Sequence, residues 1–209
     1  MDEKQIPQWL KWARRIEALA QAGLHYSKSE FDLDRYRQLK KLAAEIVTVH
    51  TALPEKQVQE AFSLADGYAT PKVDVRAAVV EAGKLLLVRE HVDGGWTLPG
   101  GWVDIGERPA EAAERETFEE SGYRVRANRL VGVYDANRLG ELRFYHAYKL
   151  VFLCDLNGGN PATSYETSEV GWFERDALPQ PFSGERTKPR HIEDIFTALA
   201  DPNKPTVFD

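Results

Sequence analysis

The sequence predicts a mixed α/β domain over residues 71–209, preceded by a small all-helical domain over residues 1–70. Two observations carry this. Apolar residues before position 70 recur at helical spacing, whereas from Val73 onward they gather in short β-branched and Leu-rich runs. Turn signals separate those runs, and one amphipathic stretch, Pro109 to Ser121, interrupts them.

In the first domain, Ile6, Trp9, Leu10, Ala13, Ile16, Leu19 and Ala20 mark a helix with Gly23 as its expected stop. A second helix is expected from Leu33 to about Thr51, with Asp32 as N-cap and Tyr36, Leu39, Ala43, Ile46 and Val47 on one side. Leu53-Pro54 breaks it, and a short third helix fits residues 55–64. The second domain opens with Val73–Glu81 and Lys84–Glu90, read as a β-hairpin around Ala82-Gly83. A glycine-rich loop follows (Asp93-Gly94-Gly95, then Pro99-Gly100-Gly101), and then the helix. Further strands fit Arg126–Tyr134, Glu141–Asp155 and Val170–Phe173, and a last helix fits Pro189–Leu199.

Apolar residues make up 43% and charged residues 29% of the 209, so the chain can bury a sizeable core. The net charge of -6 disfavours a bulk electrostatic grip on nucleic acid, while leaving a local basic groove open. An acidic protein that binds phosphates must concentrate positive charge locally, and metal ions are one means. Cys154 is the single cysteine, which excludes an internal disulfide and a cysteine metal cluster. The polar start, Met1-Asp2-Glu3-Lys4-Gln5, lacks a signal-peptide core. The apolar runs Leu85–Val88 and Leu150–Cys154 are too short to span a bilayer, so a cytoplasmic protein is expected, with no membrane partner. Short helices need an apolar partner surface. The N-terminal helices are therefore expected to form a homodimer interface, the alternative being a cap on their own chain.

The chemistry is expected on the helix from Pro109 to Ser121. Pro109 suits a first helical position and Gly122 a helix end. Glu116, Glu119 and Glu120 stand at i, i+3 and i+4 on one face, with only Arg115 nearby to offset their repulsion. Carboxylates gathered without neutralisation suit hard divalent cations, which take oxygen ligands. A solvated acidic face would look the same in isolation. The loop Pro99-Gly100-Gly101 just before it, able to approach a ligand closely, favours a site.

The stretch from Gly101 to Tyr123 resembles the Nudix box. All seven fixed positions are present: Gly101, Glu107, Arg115, Glu116, Glu119, Glu120 and Gly122. Thr117 and Tyr123 depart from the bulky aliphatic residues of that pattern. The resemblance implies a Nudix α/β/α sandwich with a mixed sheet. It implies hydrolysis of a diphosphate bond with Mg²⁺ or Mn²⁺ as cofactor. Glu116, Glu119, Glu120 and the Gly100 carbonyl would hold the metal. Arg115 and Glu107 would support them. Glu166, six residues before Trp172, would be a loop base, with Glu169 as competitor.

For substrate binding, the candidates are Arg89, Trp96, Trp102, Arg143 and Tyr145, with Tyr134, Phe144 and Arg138 as further members. The helical N-terminus and the run Gly67 to Arg76 resemble a bacterial Nudix group that includes ADP-ribose pyrophosphatases and CDP-choline pyrophosphatase. ADP-ribose-specific members often carry a proline about sixteen residues after the box, and Leu139 holds that place here. The expected substrate is thus a CDP-choline-like or nucleotide-sugar conjugate, cut to release a nucleoside monophosphate. The alternatives are ADP-ribose hydrolysis, an RNA-end pyrophosphohydrolase or 3′ exonuclease, and a non-catalytic ligand sensor.

Overall fold

The computed structural model describes residues 7–54, 56–58, 70–104, 106–136, 146–184 and 186–209. They form two compact units. The first holds the described part of Met1–Pro71 with His146, and the second the described parts of Lys72–Glu141 and Ala147–Asp209.

The first unit is built on α1 (Gln8–Tyr26) and α2 (Glu30–His50). Trp9, near the start of α1, stacks on His50 at the end of α2, so the two run antiparallel. Leu10, Ala13, Ala43, Ala44 and Val47 form the buried seam, joined by Val58. Two expectations are corrected. The first helix does not stop at Gly23 but continues to Tyr26, and Gly23 instead lets the Tyr36 ring lie against it, where a Cβ would collide. The N-cap of α2 is Ser29, whose hydroxyl accepts from the Asp32 N–H, so Asp32 lies inside the first turn. Much of the expected third helix lies outside the described residues. Leu19 and Leu39, expected on the apolar faces, are exposed.

The second unit holds seven strands: β1 (Lys72–Glu81), β2 (Lys84–Glu90), β3 (Trp96–Thr97), β4 (Tyr123–Asp135), β5 (Ala147–Gly159), β6 (Thr167–Glu174) and β7 (Val207–Phe208). It also holds α3 (Pro109–Ser121) and α4 (Pro189–Ala200). The sheet is mixed: β1 and β5 run parallel, β4 and β5 antiparallel, β4 and β7 parallel. One β1 face, Val75, Ala77 and Val79, packs with Ala112 and Ala113 of α3. The other face brings Ala78 to a core that includes Ile192 and Ile195 of α4. Helices therefore cover both faces, which is the expected α/β/α sandwich and explains the nearly continuous burial of β1. Residues 141–145 of the expected fourth strand lie outside the described residues.

The β1–β2 hairpin pairs only near its tip, through Val80 with Leu85 and Glu81 with Lys84. Beyond that, β2 turns away to pair along its length with β6. Segment 99–103 fills the place it leaves beside β1. Val75 N–H donates to Gly101 O, Ala77 N–H to Pro99 O, and Val103 N–H to Val73 O. The chemistry gathers at this divergence.

Candidate active site

Helix α3 has the expected bounds for local reasons. Pro109 at its start needs no backbone donor, and Gly122 ends it in the left-handed conformation (φ 75°). The two departures from the box are accommodated. The buried Thr117 hydroxyl donates to Ala113 O at 2.6 Å. The Tyr123 ring meets Trp172 edge-on, and its hydroxyl accepts from Trp172 Nε1 at 3.1 Å.

The three glutamates are graded in burial. Glu120 is 4% exposed and faces the strands. The Glu116 side chain is 15% exposed, whereas that of Glu119 is 53% exposed. Glu120 Oε2 accepts from the Gly100 N–H at 2.8 Å. Gly100 has φ 141°, and a Cβ there would collide with the Val75 carbonyl oxygen. Gly101 lies under the Glu116 carboxylate, and a Cβ would come 2.8 Å from Oε1. Gly100 is thus a spatial requirement of this site, whereas a Cβ at Gly101 would displace the Glu116 carboxylate.

Arg115 ties the set together. Nε and Nη2 donate to the two Glu107 oxygens at 2.8 and 3.0 Å. Nη1 donates to Glu116 Oε1 and Glu119 Oε2, both at 2.9 Å. The Glu107 hydrogen bonds, foremost, raise the guanidinium above its ordinary range. Burial pushes the Glu120 carboxyl up to about 8 against the lowering influence of Arg76. Burial also raises Glu116, opposed by Arg115. Desolvation favours the neutral acid in both cases.

Among the described residues, no three acidic, histidine or cysteine side chains already converge as a ready metal cage. The donor set nonetheless fits a hard divalent cation. It offers carboxylate oxygens of graded burial beside a glycine backbone that no side chain can crowd. Mg²⁺ needs few protein ligands because it keeps waters and substrate oxygens.

The loop before β6 closes over the end of α3. Thr167 Oγ1 donates to Glu120 O at 2.7 Å, and Ala162 N–H donates to Ser121 O at 2.9 Å. The Glu166 carbonyl accepts from His91 N–H at 2.8 Å. Glu166 is thereby brought beside the glutamate helix. Glu169 instead pairs with Arg89 at 2.6 Å, and Arg89 Nε also donates to Gly94 O at 2.8 Å. Arg89, a substrate-binding candidate, thus has Nε and Nη1 directed to protein groups and stays 40% exposed.

Other expected substrate residues are placed differently. Trp96, a substrate-binding candidate, is 8% exposed and packs edge-on against Phe173 in the core, so the expectation that it meets substrate is corrected. Tyr134 is likewise buried, its hydroxyl donating to Asp194 at 2.9 Å. Both lie on the inner faces of strands covered by α4. Trp102 is 38% exposed, with Lys72 Nζ 5.7 Å from its ring centre. Arg143, Tyr145, Arg138 and Phe144 lie outside the described residues.

The sequence reading passed over a buried ionic network beneath the site. Asp74 accepts from Arg76 Nε at 3.0 Å and from Lys149 Nζ, and all three are buried. Arg76 Nη1 also donates to Leu98 O at 3.2 Å. Glu90, at the end of β2, is a further buried acid, paired with Arg186 at 3.2 Å. A signal did exist: Asp74 and Arg76 are two charges at i, i+2 on one face of a strand whose interior is otherwise apolar from Val73 to Val80.

Comparison with known proteins agrees with this geometry. Residues 70–195 match the family pattern described as the NUDIX domain. Residues 7–62 match one described as a UDP-X-like, N-terminal oligomerisation domain. Bacillus subtilis (strain 168) YjhB, provisionally named an ADP-ribose pyrophosphatase, is 40% identical over 202 residues, covering 96% of this chain and 97% of its own. A crystal structure of a UDP-X diphosphatase is 32% identical and matches with a TM-score of 0.62, covering 96% of this chain and 98% of that one. A crystal structure of a Streptococcus suis 89-1591 ADP-ribose pyrophosphatase is 34% identical with a TM-score of 0.62, covering 67% of this chain and 100% of that one. With the box residues gathered around Arg115 and the match running over most of its length, the chain belongs to the Nudix hydrolase family.

Proposed function

We propose that this enzyme hydrolyses the diphosphate bridge of a nucleoside diphosphate joined to a second moiety, releasing a nucleoside monophosphate. The observation that carries the reading is the carboxylate set of Glu116, Glu119 and Glu120, oriented by Arg115 and by the Gly100 N–H. That set, with the Gly100 carbonyl, would hold Mg²⁺ or Mn²⁺. The bound cations would acidify the attacking water and offset charge on the phosphate oxygens.

The chain's own groups would do the rest. Glu107 anchors the Arg115 fork, and that fork sets the spacing of Glu116 and Glu119. Glu166 would take the proton of the attacking water. Its loop is fastened to α3, whereas Glu169 is engaged by Arg89.

The end-to-end likeness to a UDP-X diphosphatase, helical N-terminus included, supports conjugates carrying a variable second moiety. CDP-choline is therefore the first substrate to test, with UDP-sugars beside it. YjhB's name favours ADP-ribose as the second reading. Trp102, exposed beside Lys72, would contribute to substrate binding. The N-terminal helices would join two chains as a homodimer, consistent with the matched oligomerisation domain and with exposed Trp12, Leu19, Tyr26, Phe31 and Val49.

The test is a hydrolysis screen over CDP-choline, UDP-sugars, ADP-ribose and 5′-triphosphorylated RNA, with Mg²⁺ or Mn²⁺. Products would be identified by mass, with ¹⁸O-water marking the phosphorus attacked. Release of CMP, UMP or AMP is expected. Turnover of the RNA alone would reject the proposal, as would no turnover at all.

A further inference from the structure

We propose that Arg186 is a substrate-binding residue that grips a phosphate oxygen of the diphosphate, held in place for that task by Glu90. The inference rests on the nucleotide-diphosphate reading above and goes beyond it by naming the fixed cation of the site.

Glu90 lies at the site by geometry. Its cross-strand partner is Thr167, whose hydroxyl bonds the Glu120 carbonyl. The next residue, His91, donates its N–H to the Glu166 carbonyl. Glu90 also lies within charge-interaction range of both Glu120 and Glu166. A group bonded to Glu90 is therefore presented beside the carboxylates that would carry the chemistry.

Arg186 is that group, and its position is built. Nε pairs with Glu90 at 3.2 Å. Nη1 donates to Ser183 Oγ at 3.1 Å and lies 4.0 Å from Asp93. Ser183 Oγ in turn donates to Asp93 Oδ2 at 2.9 Å. The backbone underneath is zipped to β3 by Ser183 N–H to Trp96 O at 2.8 Å and Trp96 N–H to Pro181 O at 2.9 Å. Gly95 allows this approach, because a Cβ there would come within 2.5 Å of the Ser183 backbone.

The neighbouring arginines differ in the groups that engage them. Arg115 is spent on three carboxylates. Arg89, 40% exposed, gives Nε to Gly94 and Nη1 to the Glu169 carboxylate on its own β-ladder. Arg76 is buried against Asp74 and Leu98. The Arg186 side chain keeps 32% exposure, with Nε toward Glu90 and Nη1 toward Ser183 and Asp93. A planar guanidinium held at Nε and Nη1 has lost most of its rotamer freedom and can turn Nη2 to a phosphate oxygen. Burying Glu90 costs desolvation that an apolar pair would avoid. That cost is offset if Glu90 aims a cation at the substrate.

The experiment measures two affinities on the full-length protein: Mn²⁺ alone, and α,β-methylene-CDP or α,β-methylene-ADP at saturating Mn²⁺. R186K keeps the charge and loses the fork. The double variant E90Q/R186Q removes both charges without stranding Glu90. Both are expected to raise the Kd of the tighter-binding analogue at least tenfold and to leave the Mn²⁺ Kd within twofold. A wild-type analogue Kd in either variant overturns the proposal. Parallel loss of Mn²⁺ binding also overturns it, because Arg186 would then act through Glu120. If the double variant does not fold, R186K decides alone. If the wild type neither binds the analogues nor cleaves any conjugate, the nucleotide reading fails and this inference with it. Cleavage by the wild type with unchanged variants sinks the Arg186 assignment only.

Discussion

The Gly100 N–H donates to the Glu120 carboxylate at 2.8 Å, joining the glycine-rich loop to the last turn of the helix that follows it. Gly100→Ala is expected to break this arrangement. The new Cβ would meet the Val75 carbonyl, and φ 141° is open only to glycine. A loss of at least about 2 kcal/mol in stability and most of the activity is expected. Gly83→Ala, in open space at φ 78°, should cost only about 1 kcal/mol and leave turnover intact. Thermal unfolding and kcat/KM on the two variants check this.

Arg115→Lys keeps one charge but cannot reproduce four hydrogen bonds to three carboxylates. A loss of about 10–100-fold in metal affinity or kcat/KM is expected. Mn²⁺ titration followed by electron spin resonance measures the first. A variant with wild-type affinity and rate would remove Arg115 from the role given to it.

Glu120, held up to about 8 by burial, is mostly protonated at neutral pH before a cation arrives. Metal binding must then release a proton, so affinity should rise with pH, by up to about tenfold per unit, and level off above about 8. In the metal-free protein the sign is opposite. A raised folded-state pKa stabilises fully at acid pH, and that stability declines as pH rises from about 4.5 through about 8. E120Q should flatten both dependences. Calorimetry in buffers of different ionisation enthalpy counts the protons directly.

His191, buried on α4, is pushed down to about 3, chiefly by burial. The unfolded chain binds its proton near pH 6.5 and the folded chain does not. Stability is thus complete above about pH 6.5 and falls toward pH 3, at no more than about 1.4 kcal/mol per unit from this group. Denaturant unfolding of wild type and H191Q across pH 4 to 7 should show a shallower slope in the variant.

Glu166→Gln should lower kcat by about 10²–10⁴-fold, the usual worth of a positioned base. Glu169→Gln, which removes only the partner of Arg89, should cost less than about tenfold. The reverse order would transfer the role to Glu169.

The glutamate helix was legible at both ends because Pro109 and Gly122 act locally, through a missing donor and a left-handed φ. The end of α1 was not, since whether a glycine stops a helix or admits a neighbour's ring depends on Tyr36, a distant residue. The same holds for Trp96 and Arg89. Residue type suggested ligand contacts for both, while the fold supplies Phe173, Gly94 and Glu169 as partners. Glu90 and Arg186 are nearly a hundred positions apart in sequence, and only the pairing of β2 with β6 and the return of the 181–187 segment bring them together.

The splayed β1–β2 hairpin has a consequence for local motion. Val75 and Ala77 spend their amide protons on Gly101 and Pro99, while β1 pairs on its other side with β5, Val75 opposite Leu150. The backbone beneath the candidate site is thus part of the central ladder rather than a surface loop. Amide exchange at Val75 and Ala77 should proceed only through whole-domain opening, at the slowest rates in the protein. The loop around Glu166, fastened by a few hydrogen bonds at the surface, is free to exchange far sooner. The site would therefore pair a slowly exchanging base with a segment before β6 that exchanges sooner.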